Sequence, residues 1–84
     1  KSQSLVLTIS YDKKIEIRFE NILAILEDHS NYLKMIRIDD NSSNFEATFN
    51  IEFENFEKIN LLRGALNKNS QNVQLTIIDN SNLI

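Results

Sequence analysis

From Phe45 to Glu54 apolar and polar residues alternate without a break, with Phe45, Ala47, Phe49, Ile51 and Phe53 set against Glu46, Thr48, Asn50, Glu52 and Glu54. Successive side chains of a strand point to opposite faces, so this run commits the segment to a sheet with one dry side and one wet side. Three phenylalanines on the dry side need a cover. A strand of this kind belongs in the middle of a sheet, with helices packed over its apolar face.

The neighbouring segments supply the cover. Leu5, Leu7 and Ile9 alternate with Val6, Thr8 and Ser10 in a first strand, and Tyr11-Asp12-Lys13-Lys14 reads as a polar turn. Ile15 and Ile17 fit either a strand extension or a lead into the next element. Phe19, Ile22, Leu23 and Leu26 fall at i, i+3, i+4 and i+7, the stripe of an amphipathic helix, with Asn31 as a left-handed stop. Leu33 to Ile38 is β-rich but blurred, Ile36 and Ile38 facing one way and Met35 and Arg37 the other, which suits an edge strand. Asp39 to Asn44 reads as a turn leading into the long strand.

Beyond that strand, Asn55 is placed to cap a second helix whose stripe is Phe56, Ile59, Leu62 and Leu66, with Leu61 and Ala65 alongside. Gly64 lies inside it and costs about 1 kcal/mol relative to Ala, unless close packing requires the missing side chain. Asn67 to Asn72 reads as a loop, and Val73, Leu75 and Ile77 alternate with Gln74, Thr76 and Ile78 in a last strand. Asp79 to Ile84 reads as a tail. The sum is an α+β domain spanning residues 1–84: a ferredoxin-like βαββαβ sandwich, with a four-stranded antiparallel sheet in the order 4-1-3-2 and two helices on one face.

Composition narrows the functions such a fold could carry. Eighty-four residues allow one core, and 42% hydrophobic content fits a folded chain. A net charge of −3 with both signs interspersed gives no electrostatic footprint for nucleic acid or anionic lipid. The absence of Cys removes thiolate nucleophiles, disulfides and Cys-based zinc sites, and favours a reducing compartment. No run reaches the ~20 apolar residues of a membrane span. The chain begins at Lys1 rather than Met, as expected of a fragment of a longer protein.

Each chemical motif has a plainer reading. Phe45, Phe49 and Phe53 resemble the stacking platform of RNA-binding sheets, but they share a face with Ala47 and Ile51 and read as core. His29 is the only imidazole; it reads as a solvated residue near a helix C-terminus, since Asp28 alone builds no metal site. Asp39-Asp40-Asn41 lacks the glycine and distant glutamate of a calcium loop. Glu46, Glu52 and Glu54 read as a solvent-facing row rather than an acid-base pair. Gly64 is the only glycine, so no phosphate-binding loop exists, and Ser10-Tyr11-Asp12-Lys13 offers no acylphosphatase-like cradle. No catalytic, cofactor-binding or metal site is assigned.

Two resemblances add expectations. Leu61-Leu62-Arg63 and the closing Asn72-Val73-Gln74-Leu75-Thr76-Ile77-Ile78-Asp79, together with Leu5-Val6-Leu7-Thr8-Ile9, resemble the cytoplasmic C-terminal domain of an uncharacterised bacterial family of integral membrane proteins. More broadly the chain resembles ACT-type regulatory domains, including the one appended to MgtC-like membrane proteins. Ligand-binding ACT domains place a glycine between strand one and helix one, where this chain has Asp12-Lys13-Lys14. The resemblance implies a non-enzymatic regulatory or oligomerisation domain, cytoplasmic and tethered to the inner face of the cell membrane, that pairs with copies of itself through an edge strand or sheet face. The alternative it implies is a sensor binding a metabolite at a subunit interface.

Overall fold

The computed structural model describes residues 3–69 and 72–79. Its elements follow in the order β1 (Gln3–Asp12), α1 (Phe19–Asp28), β2 (Tyr32–Asp40), β3 (Asn44–Phe53), α2 (Phe56–Asn69) and β4 (Gln74–Asp79). The sheet runs β2-β3-β1-β4 with every neighbouring pair antiparallel. This is the ferredoxin-like sandwich expected of the alternation pattern, the same strand order read from the other edge. The tail beyond Asp79 lies outside the described residues.

The long alternating strand occupies the middle of the sheet. Phe45, Ala47, Phe49, Ile51 and Phe53 are buried, and they pair in register with Tyr11, Ile9, Leu7, Leu5 and Gln3 of β1. Opposite residues in an antiparallel ladder share a face, so Leu5, Leu7 and Ile9 join the same dry layer. Ile22 and Leu26 of α1 and Ile59, Leu62 and Leu66 of α2 close it from above. Tyr11 and Phe19 flank Phe45 at ring separations of 5.2 and 4.9 Å, which extends the core toward the start of α1.

Several boundaries differ from the sequence reading, each for a local reason. Tyr11 and Asp12 belong to β1 rather than to a turn, because Tyr11 pairs with Phe45; Asp12 Oδ1 instead accepts the Lys14 backbone N–H at 2.8 Å. Asn31 is not a left-handed stop, since no described non-glycine residue has positive φ. Helix α1 ends at His29, where the His29 N–H and the Ser30 hydroxyl both donate to the Leu26 carbonyl, so its terminal acceptor is already satisfied.

Asp39 and Asp40 are strand, leaving a shorter turn in which Asn41 Oδ1 accepts the N–H groups of Ser43 and Asn44, both at 2.8 Å. Glu54 follows the end of β3, and Asp79 is the last residue of β4 rather than part of a tail. Helix α2 continues to Asn69 because nothing between Asn67 and Asn69 breaks it and Lys68 suits its last turn.

Asn55 caps α2, its Oδ1 accepting the Lys58 N–H at 3.2 Å. One member of the expected stripe, Phe56, is not core, and neither is Leu61 alongside it. Phe56 is 73% exposed and Leu61 52% exposed, since the buried line runs through Ile59, Leu62 and Leu66 and the other two lie on its flanks.

Candidate functional site

Four strands in an open sheet leave two edges, and these differ. Strand β2 pairs with β3 out of step with its own alternation: Met35 stands opposite Phe49 and Arg37 opposite Thr48, so Ile36 has no partner. This β-bulge corrects the sequence expectation that Ile36 and Ile38 share one face and Met35 and Arg37 the other. Met35 and Ile38, opposite Phe49 and Ala47, lie on the helix side, while Lys34 and Arg37 lie on the open side. Met35 and Ile38 are nonetheless 37% and 48% exposed, as are the bulged Ile36 at 47% and Tyr32, opposite Glu52 on the open side, at 46%. A bulge and two cations within one strand are the devices by which natural edges discourage a further strand from adding.

Strand β4 carries none of them. It pairs with β1 along one side without a bulge, and the other side meets no strand among the described residues. Its sequence Gln74-Leu75-Thr76-Ile77-Ile78-Asp79 has a single charge, at the end. Leu75 and Ile77 face the helix side, opposite Ile9 and Leu7, yet are only half-buried.

Their cover is incomplete because α2 packs on β3 and α1 and stands off from the sheet margin. The gap is a groove of about 740 Å³, walled by Phe56, Ile59, Arg63 and Leu66 of α2 and floored by Leu75 and Ile77. Arg63 and Asp79 bring opposite charges to its lining, and the Arg63 guanidinium donates to Asn60 Oδ1 at 3.4 Å.

The face of the sheet away from the helices is open and mostly polar. Thr48, Thr8 and Thr76 form a row across three strands, and the hydroxyls of Thr8 and Thr48 share a hydrogen bond at 3.1 Å. Glu46 and Glu52 lie on this face six positions apart along β3, about 20 Å at ~3.3 Å per residue, too far for paired acid-base work.

The remaining residues singled out in the sequence are engaged in structure. Phe49 and Phe53 are fully buried, so no phenylalanine of β3 is offered for base stacking. His29 is half-buried rather than solvated, and its Nδ1–H donates to the Ile25 carbonyl at 2.8 Å. The acids of the supposed calcium-loop run are held by cations, Asp40 by Lys13 at 2.6 Å and Asp39 by Arg37 at 2.9 Å. Among the described residues no three His, Cys, Asp or Glu side chains converge as metal ligands. The Tyr11 phenol is pushed above its usual 10.0 by burial first and by the carboxylates of Asp40 and Glu20 second.

The groove escaped the sequence reading, although a signal for it was present. Phe56 shares its helical face with Asn60, Arg63 and Asn67 at i+4, i+7 and i+11, and such polar company marks a flank rather than a core stripe.

No protein-family model matches this chain, and no curated protein matches it. Solved structures do. An unknown protein from Galdieria sulphuraria is similar over 93% of this chain with a TM-score of 0.71 and 15% identity, the chain spanning 45% of that protein's length. An uncharacterized protein from Thermotoga maritima aligns with 93% of this chain and 96% of its own, at a TM-score of 0.62 and 14% identity. A de novo designed protein covers 92% of this chain at a TM-score of 0.53 and 15% identity. At such identities the likeness is one of fold, and it agrees with the ferredoxin-like sandwich built above from strand order and burial.

Proposed function

We propose that the chain is a non-enzymatic regulatory or oligomerisation domain, the cytosolic appendage of a bacterial membrane protein, that works by bringing copies of itself together. One observation carries the reading. Apart from Leu61 on α2, the large apolar side chains left in solvent gather at the two margins of the sheet, with Tyr32, Met35, Ile36 and Ile38 at one and Phe56 and Ile78 at the other, while the open face between them is mostly polar. Concentrated apolar surface of this kind marks a binding edge rather than random exposure.

The membrane attachment rests on the resemblance of Leu5–Ile9 and Asn72–Asp79 to the corresponding segments of the membrane-protein family. Among the described residues no helix is long and apolar enough to cross a membrane, so the anchor would belong to another part of the parent protein. Sedimentation velocity across a micromolar concentration series tests the association: the expected result is a concentration-dependent dimer or larger species. A single monomeric boundary throughout would remove the reading, and a parent gene encoding no membrane span before this domain would remove its membrane part.

The groove between α2 and β4 favours a second reading, a metabolite sensor. Its volume of about 740 Å³ falls within the 300–1,000 Å³ typical of small-molecule sites. The site would differ from that of ligand-binding ACT domains, because the turn after β1 carries Asp12-Lys13-Lys14 and no glycine. Thermal stabilisation by a metabolite in a broad screen is the expected sign, and a flat screen would count against it.

A further inference from the structure

We infer that the edge of β4 that meets no strand among the described residues receives β4 of a second copy, antiparallel about a two-fold axis through Thr76, which makes one continuous eight-stranded sheet. This deepens, and rests on, the self-association proposed above by naming the edge, the partner and the register.

The choice of edge follows from the contrast already described. Strand β2 offers apolar side chains but interrupts its ladder at Ile36 and flanks the interruption with Lys34 and Arg37. Strand β4 offers six residues in unbroken register with β1 and no cation. Backbone N–H and C=O groups along such an edge gain most when another strand satisfies them.

The register follows from side-chain faces. Opposite residues in an antiparallel pair share a face, so a two-fold axis must pass through a residue pair of like parity. Centred on Thr76, Leu75 meets the partner's Ile77 and Ile77 meets the partner's Leu75, both on the helix side, while Gln74 meets the partner's Ile78 on the open side. Five residues of β4, Gln74 to Ile78, are then paired. Centred on Ile77, Leu75 would face the partner's Asp79 carboxylate. Centred on Leu75, only Gln74, Leu75 and Thr76 of the strand would be paired.

The Thr76 register also extends the threonine row of the open face across the axis, a favourable cross-strand pairing. It keeps the only charges of the two strands apart. The two Asp79 carboxylates stand six strand positions from each other, about 20 Å at ~3.3 Å per residue and beyond a Debye length of about 8–10 Å.

The groove gives the second copy its seat. The start of α2 lies at the same end of the sheet as the end of β4, because Gln3 pairs with Phe53 and Leu5 with Asp79. Phe56, the most exposed of the large apolar residues, therefore overhangs the side where the partner's Val73 and Leu75 arrive. The partner's helix-side residues continue the groove floor beneath it.

The absence of native cysteine makes the test direct. Across the proposed axis the two Cα atoms of residue 76 stand about 4.5–5.5 Å apart, inside the window of about 4.4–6.8 Å for a disulfide. Thr76→Cys is expected to form a covalent dimer under mild oxidation, and Ile36→Cys is not. Phe56→Ser, a change at a solvent-facing position, should weaken native association roughly tenfold in sedimentation. In the native chain, raising the concentration should slow amide exchange at alternate residues of β4, which tests the edge without any substitution. Dimers in sedimentation together with cross-linking at position 36 and none at 76 would overturn this edge and leave self-association standing. A monomer in sedimentation with no cross-link would overturn both.

Discussion

Replacing Gly64 with alanine should make this domain more stable, and the size of the gain can be worked from the helix. Gly64 lies in the interior of α2, is exposed, and has no positive φ that would require glycine. Beyond its own stretch of helix, a Cβ at this position would meet no atom within 4 Å. The exception allowed by the sequence, close packing against the sheet, is therefore not realised, and the full helical cost of glycine stands at about 0.8–1.0 kcal/mol relative to alanine. Part of the gain comes from restricting the unfolded chain rather than from any new contact. About 1 kcal/mol corresponds to roughly 4–8 °C in midpoint for a domain of this size. Thermal melts and urea unfolding of Gly64→Ala should show that rise, with the urea slope unchanged. A fall in midpoint would mean that the methyl group collides with something, and that the open flank assigned to α2 is occupied.

The same structure fixes other outcomes. Asn55→Ala should cost about 1 kcal/mol in urea unfolding by removing the cap on the Lys58 N–H. Phe49→Ala should cost about 3–5 kcal/mol, a large share of the roughly 4–13 kcal/mol expected for 84 residues, and should be visible as loss of cooperative unfolding. Phe56→Ala, drawn from the same apparent pattern, should stay within about 0.5 kcal/mol of the native chain at concentrations where the protein is monomeric. Burial and the nearby carboxylates hold the Tyr11 phenol above 10.0, so as pH rises the unfolded chain releases this proton first. Tyr11 therefore contributes its full stability below pH 10 and loses it upward from there, and denaturant titrations on either side of pH 10 should show a smaller alkaline loss in Tyr11→Phe.

The sheet was legible in the sequence because its strands are half-buried. Apart from Val6, Leu5 to Ser10 and Phe45 to Phe53 place their apolar residues on one side, and a single-residue slip in either would have put leucine or phenylalanine in water. The β2 bulge was not legible. Its consequence, Met35 and Ile38 on the same side, appears only when the pairing with Phe49 and Ala47 is known, since an edge strand is held by one neighbour and its own alternation does not bind it. Phe56 misled for the opposite reason. It fits the helical spacing of Ile59 and Leu66, but spacing defines a stripe about 100° wide, and only the position of the sheet decides which edge of the stripe is covered. The groove inherits that ambiguity, because it is the space left where α2 follows β3 and not β4.

The strand order has a consequence for how the chain leaves the ribosome. Strand β1 emerges before the other three, yet it lies between β3 and β4, so neither of its flanking strands exists when it appears. One side is not filled until residue 53 has been made and the other not until residue 79. Until β3 is complete Leu5, Leu7 and Ile9 sit on a ribbon with both rims open, and the nascent domain depends on its last strand to close the first.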